Sequence, residues 1–318
     1  MEYEYTPKKY HFLYGKSEPA LRLKPGDSLK TSTVDARGYD SSNKPISEDV
    51  KEKDVDYVPL YSNPLVGPFY IEGAEPGDTL VVHIEGVKPN RDYAWSRIVP
   101  HFGSFTEEGP GRRFLLNEPL NDMVFHWKLD FNRNVGILKL ENSKVSVVEI
   151  PLHPFIGSIG VAPRFGRREP ALTPGEYGGN MDCVETKEGT TVYFPVFVRG
   201  AYLYFGDVHA GQGDGEITGV ALEVSADVKI KVDLIKGKSI EWPRFEDEEY
   251  IMVAGSSKPL MEAFKIAHVE MVRWLVEDYG FDKWEAFEIL SQVGRCRVGN
   301  VVDPRYTVVA KFPKKYLP

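Results

Sequence analysis

Cysteine is scarce: only Cys183 and Cys296 occur in 318 residues. One distant pair cannot supply a disulfide framework or a cysteine-rich zinc site, and a reducing compartment, the cytoplasm, is the expectation. Glutamine is nearly absent too, with Gln212 and Gln292 alone, a scarcity shared with heat-adapted chains. No apolar run is long enough to span a bilayer, so no membrane is expected as a partner. Met1 to Tyr10 (MEYEYTPKKY) lacks the apolar stretch of a signal peptide. Basic charge is in deficit, because 39 Lys and Arg face 47 Asp and Glu, a net charge of −8. A nucleic-acid binder needs a basic footprint, so nucleic acid is not an expected partner. Standard nucleophile and phosphate motifs are missing as well: there is no G-x-S-x-G elbow, no Walker loop and no G-x-G-x-x-G ahead of a helix. Ser158, in Gly157-Ser158-Ile159-Gly160, is the nearest serine candidate. These absences favour water, activated by a metal or a carboxylate, as the nucleophile.

What is present is a folded composition, 42% hydrophobic and 27% charged. The first 255 residues read as short strands broken by Gly and Pro. Thr79 to Glu85 (TLVVHIE), Gly136 to Leu140, Val145 to Ile150 and Thr191 to Phe197 have this character. From Val220 to Leu234 the chain alternates: Val224, Ala226, Val228, Ile230, Val232 and Leu234 share one face, while Glu223, Ser225, Asp227, Lys229, Lys231 and Asp233 share the other. Period two means a half-buried strand, and many such runs predict a mainly β fold, a sandwich or barrel. Lys24-Pro25-Gly26-Asp27 and Glu75-Pro76-Gly77-Asp78 predict two equivalent turns feeding two strands. Asp40 to Asp56 is polar and reads as an exposed loop.

The C-terminal part changes period. Leu260, Phe264, Ala267, Met271 and Leu275 mark one face of an amphipathic helix that Gly280 stops. Asp282 and Glu285 form a capping-box pattern ahead of a second helix with Ala286, Phe287, Ile289 and Leu290. Val301-Val302 and Thr307 to Phe312 read as closing strands. The expected organisation is a β-rich body over 1–255 and a helical α/β part over 256–318.

Three polar segments stand out. Asp35 ends an apparent strand in Thr33-Val34-Asp35-Ala36. Gly178-Gly179, within Pro174 to Asp182 (PGEYGGNMD), resembles a nest that could face an anion or an oxyanion. Gly206 to Glu216 (GDVHAGQGDGE) packs three carboxylates, one His and four Gly into 11 residues. A core would not choose that composition, because an uncompensated buried carboxylate costs several kcal/mol. Imidazole with carboxylates suits zinc, while carboxylates with carbonyls suit calcium. His153 and His101 each precede a Gly-containing apolar turn and rank below His209. His268 reads as structural.

These phrases, in this order, resemble the acetamidase/formamidase family. The resemblance is carried by His153 to Pro163 (HPFIGSIGVAP), Pro174 to Asp182, Gly206 to Glu216, and Asn63 to Pro68 (NPLVGP) followed by Gly73 to Asp78 (GAEPGD). It covers most of the chain and is nearer the shorter, acetamidase-like branch. The polar stretch Asp40 to Asp56 departs from the family pattern. The resemblance implies a hydrolase of small aliphatic amides that releases ammonia and a carboxylate. It implies a β-rich fold with a jelly-roll-like or barrel-like body, and a homodimer or higher homo-oligomer. It also implies a divalent metal, zinc before calcium, held by Asp35, Asp182 and His209. Asp207 would be a fourth ligand or would orient the imidazole. Glu216 would be the general base, with Glu176 as the alternative, and the amides of Gly178 and Gly179 would stabilise the oxyanion. The competing expectations are a non-catalytic metal-binding β-sandwich and a hydrolase of cyclic amides on the same scaffold.

Overall fold

Strands form where β-branched residues alternate with polar ones. The computed structural model describes residues 1–52, 62–100, 102–105 and 120–318. His101 and the acidic stretch beyond Glu52 lie outside them. The alternating run becomes the strand Ala226–Ile235, with Ala226, Val228, Ile230 and Val232 buried and the charged residues on the opposite face. Burying each such Val or Ile is worth about 1.5–3 kcal/mol. The strand lies between Ser28–Ser32 and Thr79–Pro89 in a nine-stranded sheet.

A second sheet positions the site. Its central strand, Leu203–His209, is buried along its whole length. Phe155–Gly160 pairs with one side of it, and Gly178–Asn180 pairs with Phe155–Gly160 in turn. Glu223–Val224 and Leu65–Ile71 also pair with Leu203–His209. The register sets Glu223 directly opposite His209, so the two side chains share a face. Asp207 shares it too, because strand side chains repeat every second residue.

The fold is mainly β with two late helices, as the periodicities predict. Helix α1, Leu260–Tyr279, ends at Gly280 in the left-handed region, φ 71°. Helix α2, Lys283–Val293, is capped by Asp282, which accepts from the amides of Trp284 and Glu285. The buried stripe of α1 differs from the predicted one. It runs through Ala263, Ala267, Glu270, Met271, Trp274 and Leu275, and leaves Phe264 exposed. Glu270 turns inward because Arg244, buried on the adjoining sheet, needs a carboxylate: the two meet at 2.7 Å. Val301-Val302 is not a strand; the chain pairs earlier, through Arg295–Asn300 against Tyr306–Pro313. The described part of the polar stretch after Asp40 is largely exposed, as expected, with one exception. Glu52 is buried, bonded by His11 Nδ1 at 2.9 Å and Arg168 Nη2 at 2.8 Å.

The two Pro-Gly-Asp turns are equivalent. Gly26 and Gly77 take φ of 88° and 93°, which the second turn position requires. Asp27 and Asp78 each accept from the amide three residues back, Lys24 and Glu75, at 2.8 Å. Asp78 also accepts from Gly237 N at 2.8 Å and Lys236 Nζ at 2.5 Å. Burial alone would raise its carboxyl, but Lys236 and the two amides outweigh burial and hold it below the usual range. Its contribution to stability is therefore present above the unfolded pKa and is lost as pH falls through the lower folded value. We expect Asp78→Asn to cost about 2 kcal/mol at neutral pH. In urea titrations the gap from wild type should shrink toward zero as the pH is taken well below the carboxylate range.

Candidate functional site

The polar segments meet at one buried cluster. His209 and Asp207 come from the central strand, Glu223 from its neighbour, Glu216 from the loop between them, and Asp182 from just beyond Gly178–Asn180. Asp303 arrives from the turn before the last strand. One ligand atom each from Asp182, His209 and Glu216 lie within 4.8 Å of one another, and so do those from Asp207, His209 and Glu223. Asn63, Asp182, Asp207 and Glu216 all sit in the left-handed region, with φ of 56°, 49°, 54° and 47°. Backbone strain of this kind persists only where the surroundings enforce it, and it gathers at functional sites. Gly157 on the adjacent strand leaves the space: a Cβ there would lie 2.9 Å from both Asp182 Oδ1 and His209 Cε1.

Each central carboxylate is fastened by one oxygen and leaves the other without a partner. Asn180 Nδ2 holds Asp182 Oδ2 at 3.0 Å and Asp303 Oδ2 at 2.7 Å. Asn63 Nδ2 holds Asp207 Oδ2 at 2.7 Å, and the Ala221 amide holds Glu223 Oε1 at 3.1 Å. Asp182 Oδ1, Asp207 Oδ1 and Glu223 Oε2 are buried with no hydrogen-bond partner. Ser158 donates its hydroxyl to Asn180 Oδ1. Gln212 decides the histidine tautomer. Its Nε2 donates to the carbonyls of Asp182 and Gly299 at 3.0 and 2.9 Å, which leaves Oε1 to accept from His209 Nδ1 at 3.0 Å. Nδ1 therefore carries the proton. Nε2 faces Asp207 at 3.5 Å and Glu223 at 3.4 Å.

The electrostatics are those of a site short of positive charge. Burial would lower the His209 imidazole, but Glu223, Asp207 and Asp182 outweigh it and push it up to about 10. Asp182 is pushed up to about 7 by burial and by Asp207, against the opposing pull of His209. Burial drives Glu216, Glu223 and Asp303 well upward, and neighbouring carboxylates add to it. Asp182, Glu216, Glu223 and Asp303 are thus all held above the ordinary carboxylate range, because burial and mutual repulsion outweigh one imidazolium.

Of the residues expected from sequence, Asp182, Asp207, His209 and Glu216 come together. Asp35 does not join them. Its Oδ2 accepts from Arg91 Nη2 at 2.7 Å and Trp95 Nε1 at 2.9 Å, and its Oδ1 from the amides of Arg37 and Tyr39. Both oxygens are occupied, so Asp35 organises the cavity wall. Glu176 is held by Arg167 and lies 3.7 Å from Arg164, away from the cluster. The Gly178 amide donates to the Gly175 carbonyl at 3.0 Å, and Gly179 is paired opposite Ile159. These glycines join strands, and the Gly178 amide is not free to meet an oxyanion. His153 is exposed. Sequence reasoning missed Glu223, Asp303, Asn63 and Asn180. Glu223 is hidden at the head of the alternating run, on its polar face. Asn63 and Asn180 lie within the phrases that carry the family resemblance, and Asp303 has no local signal.

A cavity of about 330 Å³ opens on this cluster, lined by Asp207, His209, Glu216, Glu223 and Asp303. The model of the acetamidase/formamidase family matches residues 11–166 and 165–316. The chain belongs to that family. The crystal structure of acetamidase from Yersinia enterocolitica is 37% identical with a TM-score of 0.86, covering 100% of this chain and 93% of that one. A predicted acetamidase/formamidase from Thermoanaerobacter tengcongensis is 29% identical with a TM-score of 0.82, covering 99% and 96% of the two chains. Formamidase of Methylophilus methylotrophus is 31% identical over 255 residues, 67% of this chain and 61% of the relative. Across three curated relatives the match spans 60 to 64% of their length.

Removing Asp35 would leave the Arg91 guanidinium buried and unpaired. We expect Asp35→Ala to lower unfolding free energy by about 3–5 kcal/mol in urea titrations. A loss below about 1 kcal/mol would contradict the structural role of Asp35.

Proposed function

We propose that this chain is a metal-dependent hydrolase of linear amides, of the acetamide or formamide type named for its relatives, releasing ammonia and a carboxylate. The carrying observation is that Asp207 and Glu223 lie 3.5 and 3.4 Å from His209 Nε2, while Asp182, Asp207 and Glu223 each keep one buried oxygen without a hydrogen-bond partner. Groups so placed are costly unless a cation shares them, so the donor set fits a divalent metal. His209 Nε2 with Asp182, Asp207 and Glu223 would hold it, and imidazole with carboxylates favours zinc over calcium. When bound, such a cation polarises the amide carbonyl and acidifies a water.

The protein's own groups do the rest. Glu216 takes the proton of the attacking water and returns it to the leaving nitrogen. Burial and the neighbouring acids raise its carboxyl, the direction a proton carrier needs when an ordinary carboxylate is too weak a base. Asn180 bridges Asp182 and Asp303 through its two N–H bonds. Gln212 holds the imidazole in the tautomer that leaves Nε2 free. Gly157 leaves room beside Asp182.

Ammonia release from acetamide or formamide should disappear with a chelator and return with zinc. Glu216→Gln should lower kcat by about 10²–10⁴-fold while bound metal, measured by elemental analysis, is unchanged. Wild-type turnover in that variant would remove Glu216 from the mechanism, and chelator-insensitive hydrolysis would move the chemistry away from a metal.

A further inference from the structure

The cavity is larger than a two-carbon amide needs. Its volume of about 330 Å³ falls where pockets for much larger ligands begin, roughly 300 Å³. Beyond the acidic cluster the lining is apolar, with Val99, Pro100, Phe102, Leu172 and Val220. Two guanidiniums, of Arg37 and Arg97, complete it. Arg97 is neutralised: it grips Asp122 with Nε at 2.7 Å and Nη2 at 2.5 Å. Arg37 is not. Its guanidinium lies 3.9 Å from the centroid of the Trp95 ring, and no carboxylate among the described residues forms an ion pair with it. Among the described residues these two guanidiniums have one carboxylate, Asp122, between them. Asp35 fixes both halves of the stack, accepting from the Arg37 amide at 3.0 Å and from Trp95 Nε1 at 2.9 Å. An exposed arginine is ordinarily mobile; this one is seated on an indole that is itself hydrogen-bonded in place.

We propose that the substrate is the monoamide of a short dicarboxylic acid. Its amide enters the histidine–carboxylate cluster, its methylenes lie along the apolar wall, and its free carboxylate meets Arg37. The inference rests on the hydrolase reading above. The reaction balances as one: water adds to the amide carbon, the C–N bond breaks, and ammonia leaves with a proton returned from the attacking water. The product is a dicarboxylate.

The test is ammonia release by the full-length, metal-loaded protein from length-matched pairs. These are the monoamides of malonic, succinic and glutaric acids against propionamide, butyramide and valeramide, with acetamide alongside. We expect at least one monoamide to exceed its neutral partner tenfold or more in kcat/KM, mainly through KM, and the ratio to fall as salt is raised. Arg37→Gln should collapse that ratio toward one, and Arg37→Lys should keep part of it. Equal or better turnover of the neutral partners by the wild type overturns the inference and leaves the hydrolase reading standing. So does a ratio that Arg37→Gln does not move. No ammonia from any amide overturns the hydrolase reading and this inference with it.

Discussion

Five buried carboxylates crowd around a single imidazole, and the architecture around them answers that constraint. Asp182, Asp207, Glu216, Glu223 and Asp303 are all buried. Left to water they would ionise independently. In the interior each ionisation raises the cost of the next. The fold resists collapse by fastening one oxygen of each central acid to an amide group and leaving the other open. Four of the residues concerned adopt left-handed backbone angles to do so. A pocket of this kind is unfavourable for the bare protein and favourable for a protein that holds a cation.

The site is assembled by the sheet and not by any one stretch of chain. Strand pairing puts Glu223 opposite His209. The next strand out carries Gly157, whose missing side chain opens the floor. Asn180 bridges from there to Asp303, 123 residues later in sequence. Asp35 takes part indirectly: it holds Trp95, Arg91 and the Arg37 backbone, and so shapes the cavity wall that a substrate would touch.

Much of this was legible in advance. The β-branched run Thr79 to Glu85 located the first part of the strand Thr79–Pro89, the alternation from Val220 to Leu234 located Ala226–Ile235, and the capping residue Asp282 located α2. The Gly206 to Glu216 phrase exposed itself because its composition has no use in a core. The misreadings share one cause. Asp35 and Glu176 have the right chemistry in the right company along the chain, yet arginines from elsewhere reach them first. Phe264 fits the helical stripe, yet Glu270 displaces that stripe inward because Arg244 waits there. Glu223 reads as solvent-facing because the alternation gives the parity of a side chain but not what covers that face.

The amino-acid sequence by itself determined the element types, the turns and the family, because these follow from spacing, propensity and composition within a few residues. It also placed His209 among acids. Which acids converge, which oxygens remain open, and which guanidinium lacks an ion pair among the described residues were decided only by the tertiary structure. Those properties depend on pairings between residues tens to more than a hundred positions apart, and on which charged partner arrives first in a space with room for few.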